Sequence, residues 1–364
     1  MSAASPRVTR LVTRRAAVRH AVLTLAALRP LAALACGGGG SGGDTAAAGG
    51  GQGAAGGKKT FTVAMIAKSS TNPVFLSGRA GAEAAAKELS QQHGVDVKID
   101  WLTPPNEDAA VQAQRISQAV NSGANAILFS ASEAGKAVGA INEAADRGVP
   151  VMTFDSDVPT SKRFSFYGGD DLAMGRQVMD ELATQMGGTG KIAILGGNQN
   201  APNLQKRVRG VVEAAKKHPG ITVVNTFYHA ETPQDAAAEV LRVQNAYPDV
   251  QGWAMIGGWP LFTQTLLTDL DPNKVKIVAI DALPVELAYI DRGLAPVLFA
   301  QPTYDWGYVS VKTIFDHVYL KKQVPPHVQM ELVRVSKDNL GTWARKLKEW
   351  GFSDVDPKFL ALAK

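Results

Sequence analysis

Cysteine is almost absent from this chain: Cys36 is the only one in 364 residues. No internal disulfide can therefore form, and whatever folds must be stable through its own apolar cores. Histidine is scarce too, and His93, His218, His229, His317 and His327 show none of the short spacings with which histidines grip a metal. No serine occupies a nucleophile elbow between a strand and a helix. No metal, no cofactor and no catalytic residue is expected. Long apolar runs are missing as well: Ala21 to Leu28 is cut off by Arg29-Pro30 before Leu31 to Ala35 resumes, too short for an ordinary spanning helix. Charge of one sign is lacking in the bulk of the chain. The formal net charge is +5, but Arg7, Arg10, Arg14, Arg15, Arg19 and Arg29 stand within the first 36 residues, which contain no acidic residue, so the remainder is near −1. A nucleic-acid partner loses its support.

What those first residues contain is a basic region, an apolar stretch and a small-residue end at Ala35-Cys36, the plan of an export signal over 1–36. Thr13-Arg14-Arg15 resembles a twin-arginine pair. Cys36 is either an unpaired thiol in a tail or, in the preferred reading, the lipidated first residue of a mature lipoprotein. Residues 37–57 are nearly all Gly, Ala, Ser and Thr and bury too little to order themselves, so they read as a flexible tether. An extracytoplasmic, lipid-anchored location follows, with folding from Lys58. Gly187-Gly188-Thr189-Gly190-Lys191 is similar to a phosphate loop but precedes a strand, so it reads as a turn.

With 45% hydrophobic and 20% charged residues the chain has globular composition and length for two domains. From Phe61, short apolar runs alternate with helical patterns. Strands are predicted over Phe61–Ile66, Val95–Trp101, Ala124–Phe129 and Val149–Phe154, with helices over Ala80–Leu89, Asp108–Val120 and Glu133–Asp146 between them. The pattern begins again with strands over Lys191–Leu195, Ile221–Phe227, Gly252–Ile256, Val275–Ile280 and Pro296–Phe299. Helices are predicted over Arg207–Lys217, Ala236–Ala246, Leu261–Leu270 and Pro284–Arg292. Such alternation gives an α/β fold with two doubly wound parallel sheets. Ligands collect outside the carboxyl ends of such strands. That places Lys68, Asn72, Asp155, Asn203, Gln205, Asp281 and Gln301 at candidate positions, with Phe75 and Trp259 as aromatic faces. Carboxylates, amides and a lysine hold hydroxyl groups that both donate and accept, and aromatic rings cover the apolar side of a sugar. Any one of them taken singly is as well explained by a turn or a helix cap.

Several motifs then fall in a familiar order. Lys68-Ser69-Ser70-Thr71-Asn72-Pro73-Val74-Phe75 resembles the first loop of the ribose-binding-like periplasmic sugar-binding proteins, the type I periplasmic binding proteins of ABC importers. Pro150 to Asp155 resembles the strand ending in their ligand-binding aspartate. Gly169-Asp170-Asp171 with Met174-Gly175 resembles the crossing into the second lobe, and Asn203 to Gly210 the motif opening the next helix. Val278-Ala279-Ile280-Asp281 and Ala300-Gln301-Pro302 complete the series. Lys68 and Trp101-Leu102-Thr103-Pro104-Pro105 are similar to the rhamnose-like and autoinducer-2-like members.

The resemblance implies two lobes, 58–168 with 302–327 and 169–301 with 328–364. They would be joined near Gly168 to Asp171, Ala300 to Pro302 and Pro325 to Val328. It implies a pocket of Lys68, Asn72, Phe75, Asp155, Asp171, Asn203, Gln205, Asp281 and Gln301, to which the strand-end rule adds Trp259. It also implies a monomer that closes on a small neutral sugar or polyol and delivers it to a membrane permease. Ser156, Asp171, Gln205 and Gly257-Gly258-Trp259 depart from the ribose-binding pattern, which leaves another pentose, a deoxyhexose or a polyol equally open. The alternatives are a sensor presenting its ligand to a membrane receptor and a glycoside-acting enzyme using Asp155 and Asp281. A transcription regulator is disfavoured, because an export signal and a glycine linker stand where a helix-turn-helix would be. Trp343, Leu347 and Trp350 predict a further helix packed on the outside within 338–364.

Overall fold

A computed structural model describes residues 59–363. The export signal, Cys36 and the tether over 37–57 lie outside the described residues. In chain order the first half runs β1 (Thr60–Ile66), α1 (Pro73–His93), β2 (Asp96–Trp101), α2 (Ala109–Asn121), β3 (Ala126–Phe129), α3 (Ala134–Asp146), β4 (Val151–Phe154) and β5 (Ser165–Gly168). The second half runs α4 (Asp171–Gln185), β6 (Gly190–Gly196), α5 (Pro202–Ala215), β7 (Ile221–Tyr228), α6 (Pro233–Ala246), β8 (Val250–Met255), β9 (Lys276–Ile280), α7 (Leu287–Arg292) and β10 (Val297–Ala300). The chain then returns through α8 (Thr303–Ile314), β11 (Val328–Gln329), β12 (Val333–Ser336), α9 (Leu340–Glu349) and α10 (Pro357–Leu360).

The strands form two six-stranded sheets with matching orders, β11-β5-β4-β3-β1-β2 and β12-β10-β9-β8-β6-β7. All pairs are parallel except β10 with β12. Each central strand is apolar on both faces because helices cover both. Along β1, Val63 and Met65 enter one core while Ala64 and Ile66 enter another. Ile192 and Ile194 alternate with Ala193 and Leu195 in the same way along β6. Period-two alternation thus distributes one apolar run between two layers.

Two differences from the expected elements have clear causes. No helix forms over 261–270: a single 3-10 turn at Trp259–Leu261 is followed by turns. The Thr263 carbonyl accepts from the Tyr289 hydroxyl at 2.5 Å, and the Thr263 side chain bonds its own neighbourhood at Thr265. Threonines that satisfy their backbone locally compete with the helix ladder. The third crossing also lies later than expected. The Pro325 and Pro326 carbonyls accept from Ser165, Phe166 and Arg163, and β11 pairs with β5 in the first sheet. The boundary expected at 327/328 therefore falls beyond Gln329. The helix expected near the C-terminus is α9, which buries Trp343, Ala344 and Leu347 against the second sheet. Trp350, at its end, stacks on Tyr304 of α8 with an interplanar angle of 4°.

Glycine-mediated close approach brings the site's helices together. A Cβ at Gly175 of α4 would lie 1.9 Å from the Arg207 carbonyl, and one at Gly210 of α5 would lie 2.2 Å from the Leu172 carbonyl. Only glycine allows the two backbones to come this near, and the approach sets Asp171 beside Arg207.

Candidate functional site

The carboxyl ends of the two sheets meet around a small polar cavity of about 30 Å³. Eight of the expected residues line it: Lys68, Asn72, Phe75 and Asp155 from the first lobe, Asn203, Trp259 and Asp281 from the second, and Gln301 at a crossing. Asn72 is held in place as the N-cap of α1, its Oδ1 accepting from the Val74 amide at 3.2 Å. Phe75 meets Phe154 edge-on at 6.4 Å and Trp306 at 5.6 Å.

Asp155 and Asp281 are equivalent residues at the ends of β4 and β9. Both take left-handed backbone angles, φ +56° and +85°, that side-chain-bearing residues seldom adopt. Each amide is anchored across its sheet, Asp155 on the Tyr167 carbonyl at 3.0 Å and Asp281 on the Phe299 carbonyl at 2.9 Å. The turn aims both carboxylates into the gap between the sheets. Asp155 accepts from the Ser130 hydroxyl at 2.8 Å and the Asn203 amide at 3.0 Å. Asp281 accepts from Gln301 Nε2 at 2.8 Å and the Gly258 amide at 3.2 Å. Burial raises the Asp281 pKa against the opposing pull of Gln301 and Arg207.

The Asn203–Asp155 bond joins the two lobes directly. Lys68 adds a second bridge, its Nζ 3.4 Å from Asn203 Oδ1 and 3.9 Å from Asp155 Oδ2. Burial works against its charge, yet Glu231, Asp155 and Glu107 together hold its pKa above the ordinary lysine value.

Two expected residues stand elsewhere. Gln205 points out of the cavity and is exposed, its amide donating to the Gln199 carbonyl at 2.8 Å. Two positions along α5 from Asn203 is roughly the opposite side of a helix, so it could not share that face. Asp171 is buried but behind the lining, where it accepts from Arg207 Nε at 2.9 Å. Burial raises its pKa while Arg207 opposes the rise.

Arg207 is the residue that sequence reasoning passed over. It lines the cavity and is buried, donating to Asp171, to Gln301 Oε1 at 2.9 Å and to the Ile256 carbonyl at 3.3 Å. Its spacing of four from Asn203 put it on the same face of α5, a signal available in the chain. Glu231, three residues beyond the end of β7, also lines the cavity, as the strand-end rule would have indicated. Trp306 and Glu107 were missed for a different reason: only the folding of α8 and of the loop before α2 brings them near.

Outside this cavity the cleft widens into a larger chamber of about 640 Å³, open to solvent, which shares Lys68, Asn72, Phe75 and Glu231 with it. Glu107 in its wall has its pKa raised to about 7, first by burial and then by Glu231 across the gap. Among the described residues, no group of acidic, histidine or cysteine side chains could hold a metal, and no helix is long and apolar enough to cross a membrane.

A periplasmic binding protein domain model matches residues 63–322. This chain belongs to that family. The ribose import binding protein of Escherichia coli is 23% identical over 280 residues, 76% of this chain and 90% of that protein. The xylitol-binding protein of Mycolicibacterium smegmatis is 26% identical over 129 residues, 35% of this chain and 37% of that protein. This chain thus spans less than half the length of that relative. Among solved structures, an ABC transporter solute-binding protein from Burkholderia graminis in complex with D-arabinose has a TM-score of 0.70. It is 25% identical, with 77% of this chain and 96% of that one covered. A glucose-galactose binding protein from Geobacillus stearothermophilus has a TM-score of 0.70 at 26% identity, covering 78% and 99%. The two-lobed α/β architecture of type I periplasmic binding proteins is therefore the fold of this family member.

Proposed function

We propose that this periplasmic binding protein is the extracytoplasmic solute-binding component of an ABC importer, capturing a small neutral sugar or polyol between its lobes and presenting it to a permease. The observation that carries the reading is the polar lining: Asn203 bonds Asp155 across the lobes, and beside that pair Arg207, Gln301 and Asp281 form a hydrogen-bonded chain. Hydroxyl groups can replace these bonds one for one, each donating to a carboxylate and accepting from an amide or guanidinium. An anionic ligand is disfavoured because Arg207 is committed to Asp171 and Lys68 sits among Asp155, Glu107 and Glu231. Relatives named for ribose, xylitol and arabinose point the same way. A ligand touching both lobes favours the closed form, and a permease reads closure.

The test is a thermal-shift screen of the chain against pentoses, hexoses, deoxysugars, pentitols and autoinducer-2, with amino acids as controls. Mass action gives about 2.7 kcal/mol of stabilisation at a hundredfold excess over Kd. A rise with one carbohydrate class that disappears in Asp281→Ala is the expected result. A response confined to amino acids would overturn it.

A further inference from the structure

We propose that the outer chamber is a second subsite, which takes a second hydroxylated ring glycosidically joined to the unit held by the inner ring of polar residues. The inference rests on the sugar-binding reading and extends it to ligands longer than a monosaccharide.

The two cavities differ in size in a way that matters. Small-molecule sites occupy about 300–1,000 Å³. The inner cavity, at about 30 Å³, is far below that range while its polar residues bond one another and takes a ring only as hydroxyls replace those bonds, whereas the outer chamber, at about 640 Å³, is within it already. The chamber persists although the lobes already touch at its floor, through Asn203 with Asp155 at 3.0 Å and with Lys68 at 3.4 Å.

Its walls are built and pinned. On the first lobe, Ser69 and Thr71 hydroxyls donate to the Pro105 carbonyl at 2.9 and 3.1 Å, and the Ser70 amide donates to the Pro104 carbonyl at 2.8 Å. On the second, the Asn198 amide donates to Glu231 at 3.0 Å and the Asn200 amide to Asn198 Oδ1 at 2.9 Å. Side chains suited to carbohydrate hydroxyls remain on both sides, with Asn106 facing a rim of Asn198, Gln199 and Asn200. Tyr228, at the end of β7, supplies an apolar surface: it is 45% exposed, and a Cβ on Gly196 would lie 3.0 Å from its ring. Four residues shared with the inner cavity make the passage from one ring to the next continuous.

Calorimetry on the chain would compare D-xylose, L-arabinose and D-glucose with xylobiose, arabinobiose and cellobiose. At least one disaccharide is expected to bind about tenfold or more tightly than its own monosaccharide. That advantage should fall to about twofold or less in Tyr228→Ala and in Asn106→Ala, with monosaccharide affinity unchanged. A Thr232→Trp variant, which narrows the chamber, should bind the disaccharide no better than the monosaccharide. Monosaccharides bound as well as every disaccharide, or an advantage untouched by all three variants, would overturn the second subsite and leave the sugar-binding reading standing. No response to any carbohydrate would overturn both.

Discussion

Arg207 joins three parts of the site. It ties Asp171, Gln301 and the end of β8 together, and through Gln301 it reaches Asp281. Removing one partner of a buried ion pair leaves the other charge uncompensated, so Arg207→Ala should destabilise the chain by about 3–5 kcal/mol, read from urea unfolding midpoints. Glu107 makes a prediction of the opposite kind. Its pKa in the folded chain, about 7 against an ordinary 4.5, means that the folded state binds the proton more tightly than the unfolded state. Stability from this group is fully present below about pH 4.5 and is lost as pH rises through about 7. The loss is on the order of 3 kcal/mol. Glu107→Gln should flatten that part of the stability–pH curve and leave the variant the more stable protein at pH 8. At this scale the candidate site was largely legible: eight of ten expected side chains meet in one cavity. Strand ends are readable from apolar runs, and polar residues just beyond them converge by topology. Gln205 and Asp171 lie outside the lining: a strand-end rule says where Gln205 sits and not which way its helix turns it, and Asp171, which only the resemblance implied, stands one layer back against Arg207.

At the scale of elements, the contact between α4 and α5 positions both Asp171 and Arg207. Gly175→Ala places a methyl 1.9 Å from the Arg207 carbonyl and forces the helices apart. A loss of about 1–3 kcal/mol is expected, with weaker ligand binding because Arg207 moves. Gly139→Ala in α3 is the control. Nothing lies within 4 Å of its added Cβ, so it should be neutral or stabilise by about 0.5–1 kcal/mol in the same unfolding assay. Nine strands were legible because each is an apolar or alternating run bounded by turn residues, whereas β5, β11 and β12, of two to four residues, were not expected. The helix expected over 261–270 was not formed, since its apolar spacing is real but its threonines and Tyr289 claim the backbone.

The whole molecule is two similar sheets whose polar ends face one another, held together by three crossings and by contacts beside them. The Tyr304–Trp350 stack joins α8, packed on α1, to the end of α9, packed on the second sheet. Within the site, Asn203 bonds Asp155 across the cleft. Asn203→Ala removes the bond at the floor, so small-angle scattering should give a larger radius of gyration for the variant without ligand. A saturating sugar should shrink it, because the ligand restores a bridge between lobes. An unchanged radius would mean that the lobes are held by the crossings and the Tyr304–Trp350 contact alone.

The sequence by itself determined the alternating α/β order, the repeat of the pattern in two halves and the polar residues at the strand ends. All of these depend on local periodicity and on where apolar runs stop. The tertiary structure decided which face of α5 turns to the cavity, and helix spacing then carries Arg207 in with Asn203 and Gln205 out. It also decided that β11 stays with the first sheet, and that Glu107 and Glu231 face each other across the chamber. Those outcomes depend on the rotation of a helix, on which carbonyls find donors and on the separation of groups distant in the chain, and periodicity specifies none of these.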